Sequence, residues 1–117
     1  MLEFLEFSSL VYMLGFQKFR ISRYQDKWKV EFEKGMPGST KDMRIFDNLD
    51  DWLERFEKLN VKEWKEEYHN YSVLDGESWT LKYDYAKEPQ REINGMNAYP
   101  PNFNKFVSLM KELVEQL

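Results

Sequence analysis

The stretch VLDGESWTLKYDYAKEPQREINGMNAYPPNF, residues 73–103, holds the clearest structural signals in this chain of 117 residues. Asp75-Gly76 is a turn signal, because glycine tolerates positive φ and an Asp side chain bonds to nearby backbone groups. From Ser78 to Tyr85, aromatic or apolar residues alternate with polar ones, which predicts a strand with one buried face and one wet face. Residues 90–95 are expected to return beside this strand as a hairpin partner.

Two helices are predicted from apolar residues at helical spacing. The C-terminal helix follows Pro100-Pro101, since proline suits the first positions of a helix. Its apolar stripe consists of Phe103, Phe106, Val107, Met110, Leu113, Val114 and Leu117. The other helix is expected from Asn48 to Leu59, with Asp47 as its N-cap. Its apolar stripe consists of Leu49, Trp52, Leu53, Phe56 and Leu59.

Further strands are predicted from short runs that are rich in aromatic and β-branched residues. They are Leu2–Phe7, Phe19–Tyr24, Trp28–Lys34 and a short strand at Met43–Phe46. Gln25-Asp26-Lys27 is the tight connection of a hairpin, and Val61–Tyr68 is expected to form helical turns. The predicted fold class is therefore α+β, in a single domain over residues 1–117. Its antiparallel sheet has four to five strands, with a middle helix and a C-terminal helix packed on one face.

Several motifs follow one another in the C-terminal half of the chain. NVKEW at 60–64 and VLDGESWTLKYDY at 73–85 precede a second strand that ends at Gly95, and Tyr-Pro-x-Asn-Phe at 99–103 then leads into the last helix. This order resembles an uncharacterised small bacterial domain family. Its pattern is Trp, a gap, Leu-Asp-Gly-x-x-Trp-x-Leu, a strand pair, Gly, and Pro-x-Asn-aromatic before a helix. The resemblance implies a fold and carries no activity or catalytic residue with it.

Composition restricts the setting. The chain has no Cys, which excludes disulfides and thiolate chemistry and favours a reducing compartment. The apolar run from Leu10 to Leu14 is far too short to span a membrane, and the N-terminus carries Glu3 and Glu6 where a signal peptide has basic residues. We therefore expect a cytoplasmic protein with no membrane segment.

Charge is distributed unevenly along the chain, whose net charge is -4 and whose pI is about 5.1. Residues 47–88 contain 12 Asp and Glu but 6 Lys and Arg. This pattern is typical of a solvated helix face, and it also fits an acidic surface that meets a basic one. Direct nucleic-acid binding is disfavoured by the low pI. The alternative rests on a small basic group of Arg20, Arg23, Lys27 and Lys29.

Motifs that would indicate catalysis or a cofactor are missing from the sequence. His69 is the only histidine, and without Cys it cannot build an ordinary zinc site. Asp47, Asp50, Asp51 and Glu54 have oxygen ligands suited to Mg²⁺, but helix capping and the helix dipole already explain acids at these positions. We predict no catalytic residue, no cofactor and no metal, and hence a protein that is not an enzyme.

Small size, acidity and an aromatic content of 17% favour a protein-interaction module. We expect it to bind a protein partner with a basic surface and to block or modulate that partner. A bacterial or phage inhibitor of a nucleic-acid-binding defence protein, similar in role to an anti-CRISPR protein, is one member of this class. The candidate contacts are Asp50, Asp51, Glu54, Glu57, Glu63, Trp64, Glu66, Glu67 and Tyr68, with Trp64 and Tyr68 as aromatic anchors.

Two alternatives belong to other classes. The first is a small-molecule pocket with weak enzymatic activity, between the sheet and the C-terminal helix. Its walls would be Trp79, Tyr83, Tyr85 and Tyr99. The second is a homodimer formed through an exposed strand edge, because unpaired edge groups are a template for pairing.

Overall fold

A computed structural model of the chain describes residues 1–11, 15–35, 40–72 and 76–117. Its strands are β1 (Leu2–Val11), β2 (Gly15–Tyr24), β3 (Lys27–Gly35), β4 (Thr40–Phe46), β5 (Glu67–His69), β6 (Glu77–Tyr85) and β7 (Arg91–Met96). The helices are α1 (Asp50–Lys58) and α2 (Phe103–Val114), with a short 3₁₀ helix at Val61–Glu63. The seven strands form one sheet in the order β4-β3-β2-β1-β6-β7-β5. The α+β class is confirmed, and the expected four to five strands are too few.

Every neighbouring pair of strands is antiparallel except β5 and β7, which are parallel. Alternation along the strands places large apolar residues on one face of the sheet, and both helices cover that face. Ring contacts show this packing: Phe19 lies 6.4 Å from Trp52 of α1, and Phe7 lies 5.5 Å from Phe106 of α2. The core therefore lies between the sheet and the two helices, and no helix among the described residues covers the other, open face of the sheet.

Trp79 of β6 lies directly opposite Gly95 of β7 on the helix-covered face. A Cβ atom at residue 95 would lie 2.1 Å from atoms of the indole ring, so only glycine leaves room for the ring. The indole N–H donates to the carbonyl oxygen of Ala98 at 3.0 Å. Five aromatic rings pack around this indole: Phe7, Trp64, Tyr68, Tyr99 and Phe103.

The additional strand that sequence patterns miss is β5. Helical turns were expected over Val61–Tyr68, but the 3₁₀ helix ends at Glu63 and β5 begins at Glu67. Backbone bonds to β7 hold the strand: the N–H of Asn94 donates to the carbonyl of Glu66, and the N–H of Asn70 donates to that of Met96, each at 2.9 Å. A three-residue strand held by a distant partner has no local periodicity to reveal it.

The start of α1 also differs from the expectation. Asp47 was expected to cap a helix from Asn48, but α1 begins at Asp50 with Leu49 at its N-cap. The Asn48 side chain accepts a hydrogen bond from the Asp50 N–H at 2.6 Å, while the carboxylate of Asp47 lies 3.0 Å from the Lys27 ammonium. The predicted turn at Asp75-Gly76 falls partly outside the described residues. Neither described helix is long and apolar enough to cross a membrane.

We expect Gly95→Ala to lower the free energy of unfolding by about 1–3 kcal/mol, the usual cost of overpacking, because the new methyl group collides with the Trp79 ring. Urea denaturation followed by tryptophan fluorescence measures this loss. Met96→Ala, at an exposed position on the same strand, is the matched control and should change stability little. Equal stability of Gly95→Ala and the unmodified chain would show that the ring is free to move aside.

Candidate protein-interaction surface

The predicted contact residues fall in three places. Asp50, Asp51, Glu54 and Glu57 lie on the exposed side of α1, whereas Trp64 and Tyr68 point into the aromatic core. Glu63, Glu66 and Glu67 lie on the segment that leads into β5, at one edge of the sheet. The fold therefore does not gather the nine residues into one exposed acidic patch.

The acids in the middle of α1 are paired with cations. Asp51 lies 3.7 Å from Arg55, and Glu54 lies 3.5 Å from Lys58, each one helical turn along. Arg55 also donates two hydrogen bonds across to Glu112 of α2, at 2.6 and 2.7 Å. These bonds hold the pKa of Glu112 below its ordinary value and raise that of Arg55. Much of the negative charge on α1 is therefore balanced within the protein.

The C-terminal end of α1 lies beside Tyr85. Burial raises the pKa of the Tyr85 hydroxyl, and the nearby carboxylate of Glu57 raises that pKa further. The ammonium of Lys62 lies 4.4 Å from the centroid of the Tyr85 ring and 3.8 Å from the carboxylate of Glu88. Glu57 is thus part of a local network around Tyr85.

The interpretation of Trp64 as an exposed anchor needs correction. Its side chain is part of the core, with 5% of the residue exposed, and its ring meets that of Phe106 edge-on at 5.9 Å. The indole N–H donates to the side-chain oxygen of Asn102 at 2.7 Å. Tyr68 is half-buried and stacks on Trp79 at 6.1 Å. Both rings stabilise the fold, because the chain turns them inward where β5 joins the sheet.

Glu63, Glu66 and Glu67, which we call the acidic edge, are all exposed. Glu67 lies 3.4 Å from the imidazole of His69. Within the described ranges, no basic side chain forms an ion pair with Glu63 or Glu66. Lys65 is the only basic residue between them in the chain. The acidic edge is therefore the part of the predicted surface whose charge remains least compensated.

Arg91 of β7 holds the backbone that carries this edge. It donates hydrogen bonds to the carbonyl oxygens of Val61, Lys62 and Trp64 and to the hydroxyl of Tyr83. The Val61 carbonyl also accepts the N–H of Trp64 at 3.0 Å, and the guanidinium provides a donor for the carbonyls of Lys62 and Trp64 at the end of the 3₁₀ helix. The segment with Glu63 is thereby fixed to the sheet.

The proposed aromatic pocket is filled. Trp79, Tyr83 and Tyr85 are buried, and Phe103 of α2 packs against Trp79 at 4.9 Å and against Tyr99 at 4.8 Å. Burial and a hydrogen bond to Glu77 raise the pKa of Tyr99 to about 12. These rings form the core in place of the walls of a ligand site. A cleft of about 520 Å³ lies elsewhere, between α1 and α2.

The small basic group on the β2–β3 hairpin is internally paired. Arg20 donates to Glu6 at 2.5 Å, Lys27 pairs with Asp47 at 3.0 Å, and Lys29 lies 3.9 Å from Glu31. The guanidinium of Arg23 lies 4.7 Å from the centroid of the buried Trp28 ring. Contacts to phosphate would have to break these pairs.

Metal ligands are not gathered at the positions that the sequence suggested. In the described part of the chain, no group of three or more His, Asp or Glu is arranged to hold an ion. Asp47 forms an ion pair with Lys27. Asp51 and Glu54 form ion pairs with Arg55 and Lys58 of α1. His69 stacks on Tyr71 with 5.4 Å between ring centroids.

The open face of the sheet carries a feature that sequence patterns did not reveal. Strand register places side chains of alternating charge next to one another across five strands: Glu92, Lys82, Glu6, Arg20 and Glu31. The end of this row at Glu31 meets Met43 of β4. Opposite charges on directly paired residues stabilise a sheet. The open face is therefore highly charged but balanced within itself.

We expect Arg91→Met to destabilise the protein by about 2 kcal/mol, because hydrogen bonds from a charged donor are lost and the partly buried carbonyl of Trp64 is left without this donor. Arg91→Lys should recover only part of this loss, since an ammonium cannot reproduce the planar fork of a guanidinium. Thermal melts of both variants measure the effect. If the two variants are equally stable, the positive charge contributes nothing and the guanidinium fork accounts for the whole role of Arg91, whereas full stability of Arg91→Lys would contradict the prediction.

The bridge between Arg55 and Glu112 predicts a specific pH dependence. Because the folded-state pKa of Glu112 is lowered, its contribution to stability is present at neutral pH and is lost as pH falls through that pKa. Glu112→Gln should therefore lower the melting temperature at pH 7, and the difference from the unmodified chain should shrink below pH 4.5. Glu115→Gln, on an exposed glutamate one turn away, is the control and should show no such convergence.

Comparison with known proteins found no match: no family model, no curated protein and no solved structure matches the chain.

Proposed function

We propose that this chain is a non-enzymatic protein-interaction module whose acidic edge binds a basic surface on a protein partner. The observation that carries the proposal is the acidic edge itself: three exposed carboxylates at a sheet edge, none of which pairs with a Lys or Arg among the described residues, while Glu67 lies beside the His69 imidazole. Elsewhere, Asp51 and Glu54 of α1 and Glu6 of the open sheet face form ion pairs with Arg or Lys side chains. A partner with clustered Lys or Arg would supply the missing charges.

The fixed backbone of this edge also supports the proposal. Arg91 holds residues 61–64 against β7, and the parallel pairing of β5 with β7 fixes Glu67. Charged groups that are already in place lose less conformational freedom when they bind. Uncompensated carboxylates also steer a basic partner during approach, which increases the association rate at low ionic strength.

A partner surface of this kind occurs on proteins that bind nucleic acid. The concrete form that we propose is an inhibitor that covers such a surface and blocks or modulates its owner, as an anti-CRISPR protein does. A bacterial or phage origin and a cytoplasmic setting belong to this proposal, and the lack of Cys favours that compartment. Glu63, Glu66 and Glu67 would make the charge contacts, while α1 contributes long-range field through Asp50, the acid at its first position.

The test is a charge reversal at the acidic edge. We expect the triple variant Glu63→Lys, Glu66→Lys and Glu67→Lys to lose a protein that the unmodified chain retains from nuclease-treated bacterial lysate. The control variant reverses three dispersed exposed acids, Glu3→Lys, Asp26→Lys and Glu115→Lys, and has the same net charge. Affinity capture with mass spectrometry, followed by titration of the purified partner, gives the measurement.

Each outcome decides something about the acidic edge. Loss of binding in the edge variant alone, with an unchanged melting curve, supports the proposal. Equal loss in both triple variants would mean that net charge, and not this edge, attracts the partner. Full retention by the edge variant, or recovery that depends on intact nucleic acid, would contradict the proposal.

A further inference from the structure

The other end of the sheet is an edge of a different kind. β4 is the last strand there, and six of its seven residues, 40–45, are exposed. Met43 and Ile45 are 52% and 36% exposed, which is unusual for apolar residues in the middle of a strand. In the part of the chain that the structure describes, no strand lies beyond β4. The question is which of its backbone groups face outward.

The hairpin between β2 and β3 answers this question. Tyr24 and Lys27 flank the two-residue turn Gln25–Asp26, so they form a hydrogen-bonded pair. Bonding alternates along antiparallel strands, so odd-numbered residues of β3 bond to β2 and even-numbered ones bond to β4. The register then pairs Val30 with Arg44. The backbone groups of β4 that point away from the sheet are those of Lys41, Met43 and Ile45.

An independent starting point at the opposite edge leads to the same result. The N–H of Asn94 donates to the carbonyl of Glu66, so even-numbered residues of β7 face β5. Following the register from β7 through β6, β1, β2 and β3 again leaves the odd-numbered residues of β4 facing outward. Three N–H groups and three carbonyl groups on β4 are thus directed at the space beside the sheet.

The geometry points to a second copy of this chain as the occupant of that space. In the arrangement that we infer, the two β4 strands pair antiparallel about a two-fold axis at Met43. Met43 then faces Met43, and Lys41 faces Ile45, so that all outward backbone groups of the two strands bond to each other. The axis lies at the centre of β4, so all seven residues of each strand take part. Two seven-stranded sheets become one continuous sheet.

Charge complementarity favours this register. With the axis at Met43, Asp42 of each copy lies directly opposite Arg44 of the other, in a non-hydrogen-bonded pair where side chains approach most closely. Moving the axis to Asp42 or to Arg44 would place like charges opposite each other. An axis between two residues would set outward backbone groups against inward ones and leave them unbonded. Of these registers, the one with its axis at Met43 both bonds the outward backbone groups and places opposite charges across from each other.

Charged residues on an edge strand usually protect a protein from pairing with its neighbours. Here the two charges next to Met43 have opposite signs and lie symmetrically on either side of it. Pairing about Met43 therefore matches the charges and covers the two exposed apolar side chains, Met43 and Ile45. Most other strands would meet Asp42 and Arg44 without matching charges. The same residues that discourage general edge pairing thus select a second copy.

The first test exchanges charges across the axis. Sedimentation velocity of the unmodified chain should show a weak, concentration-dependent dimer, because a single pair of strands buries less than the roughly 1,200 Å² of a standard interface. Asp42→Arg and Arg44→Asp should each raise the dissociation constant at least about tenfold, since both cross-axis pairs become like-charged. The two variants mixed in equal amounts should dimerise again, because Arg faces Asp at both positions of the mixed pair.

The second test uses the absence of cysteine from the chain. Met43→Cys places the two thiols opposite each other on the axis, within reach of a disulfide, and should form a covalent dimer under mild oxidation. Lys41→Cys is the matched control on the same strand, since its counterpart across the axis is Ile45. It should cross-link poorly alone but efficiently when mixed with Ile45→Cys.

These tests do not depend on the acidic edge at the far end of the sheet, so the two proposals can fail separately. A dissociation constant of about 1 mM is the weakest affinity worth assigning to a dimer. A chain that stays monomeric up to that concentration would overturn the inference. So would a dimer that both single charge variants retain, or a mixture of the two variants that remains monomeric. Circular dichroism of each variant confirms that the fold persists. This control matters for Arg44, because its guanidinium also donates to the carbonyl oxygen of Gln116 at 3.2 Å and lies 4.6 Å from the Phe46 ring centroid.

Discussion

Trp79 packs directly on the backbone of Gly95, and most of the packing on the helix side of the sheet follows from this contact. Because residue 95 has no side chain, the indole sits close to β7 and presents its surface to other rings. Three rings pack against the indole, each from a different element. Phe103 belongs to α2, Trp64 follows the 3₁₀ helix, and Tyr68 belongs to β5. One close approach of ring and backbone thus organises three elements from two distant parts of the chain. It also fills the space between this part of the sheet and α2 with aromatic rings.

Local patterns predicted the elements that are stabilised by their own amphipathicity. The alternation from Ser78 to Tyr85 and the apolar stripe of the C-terminal helix correspond to β6 and α2, although Leu109 of α2 is also buried. β5 was missed because three residues in parallel pairing leave no periodic trace. The N-cap was misplaced because Asp47 forms an ion pair with Lys27, a contact that local spacing cannot show.

The candidate surface was predictable in part for a related reason. Sequence shows how many acids a segment contains, and the excess over residues 47–88 directed attention to the segment that contains the acidic edge. It does not show that Arg55 reaches Glu112 on another helix, or that the Trp64 ring turns inward. Compensation of charge and burial of a ring both depend on partners brought close by folding. Strand order alone shows that β4 lies at an edge of the sheet, where Met43 is available for pairing with another strand. Local sequence patterns do not contain the strand order.

The alternation of hydrogen bonding from the Gln25–Asp26 turn to β4 has a consequence for how the length of this chain can change during evolution. Inserting one residue within β3 would move Val30 from the core to the open face and would also reverse which backbone groups β4 offers to the outside. Inserting two residues would preserve both properties. Unless a bulge absorbs the change, this half of the sheet can lengthen or shorten only in steps of two residues.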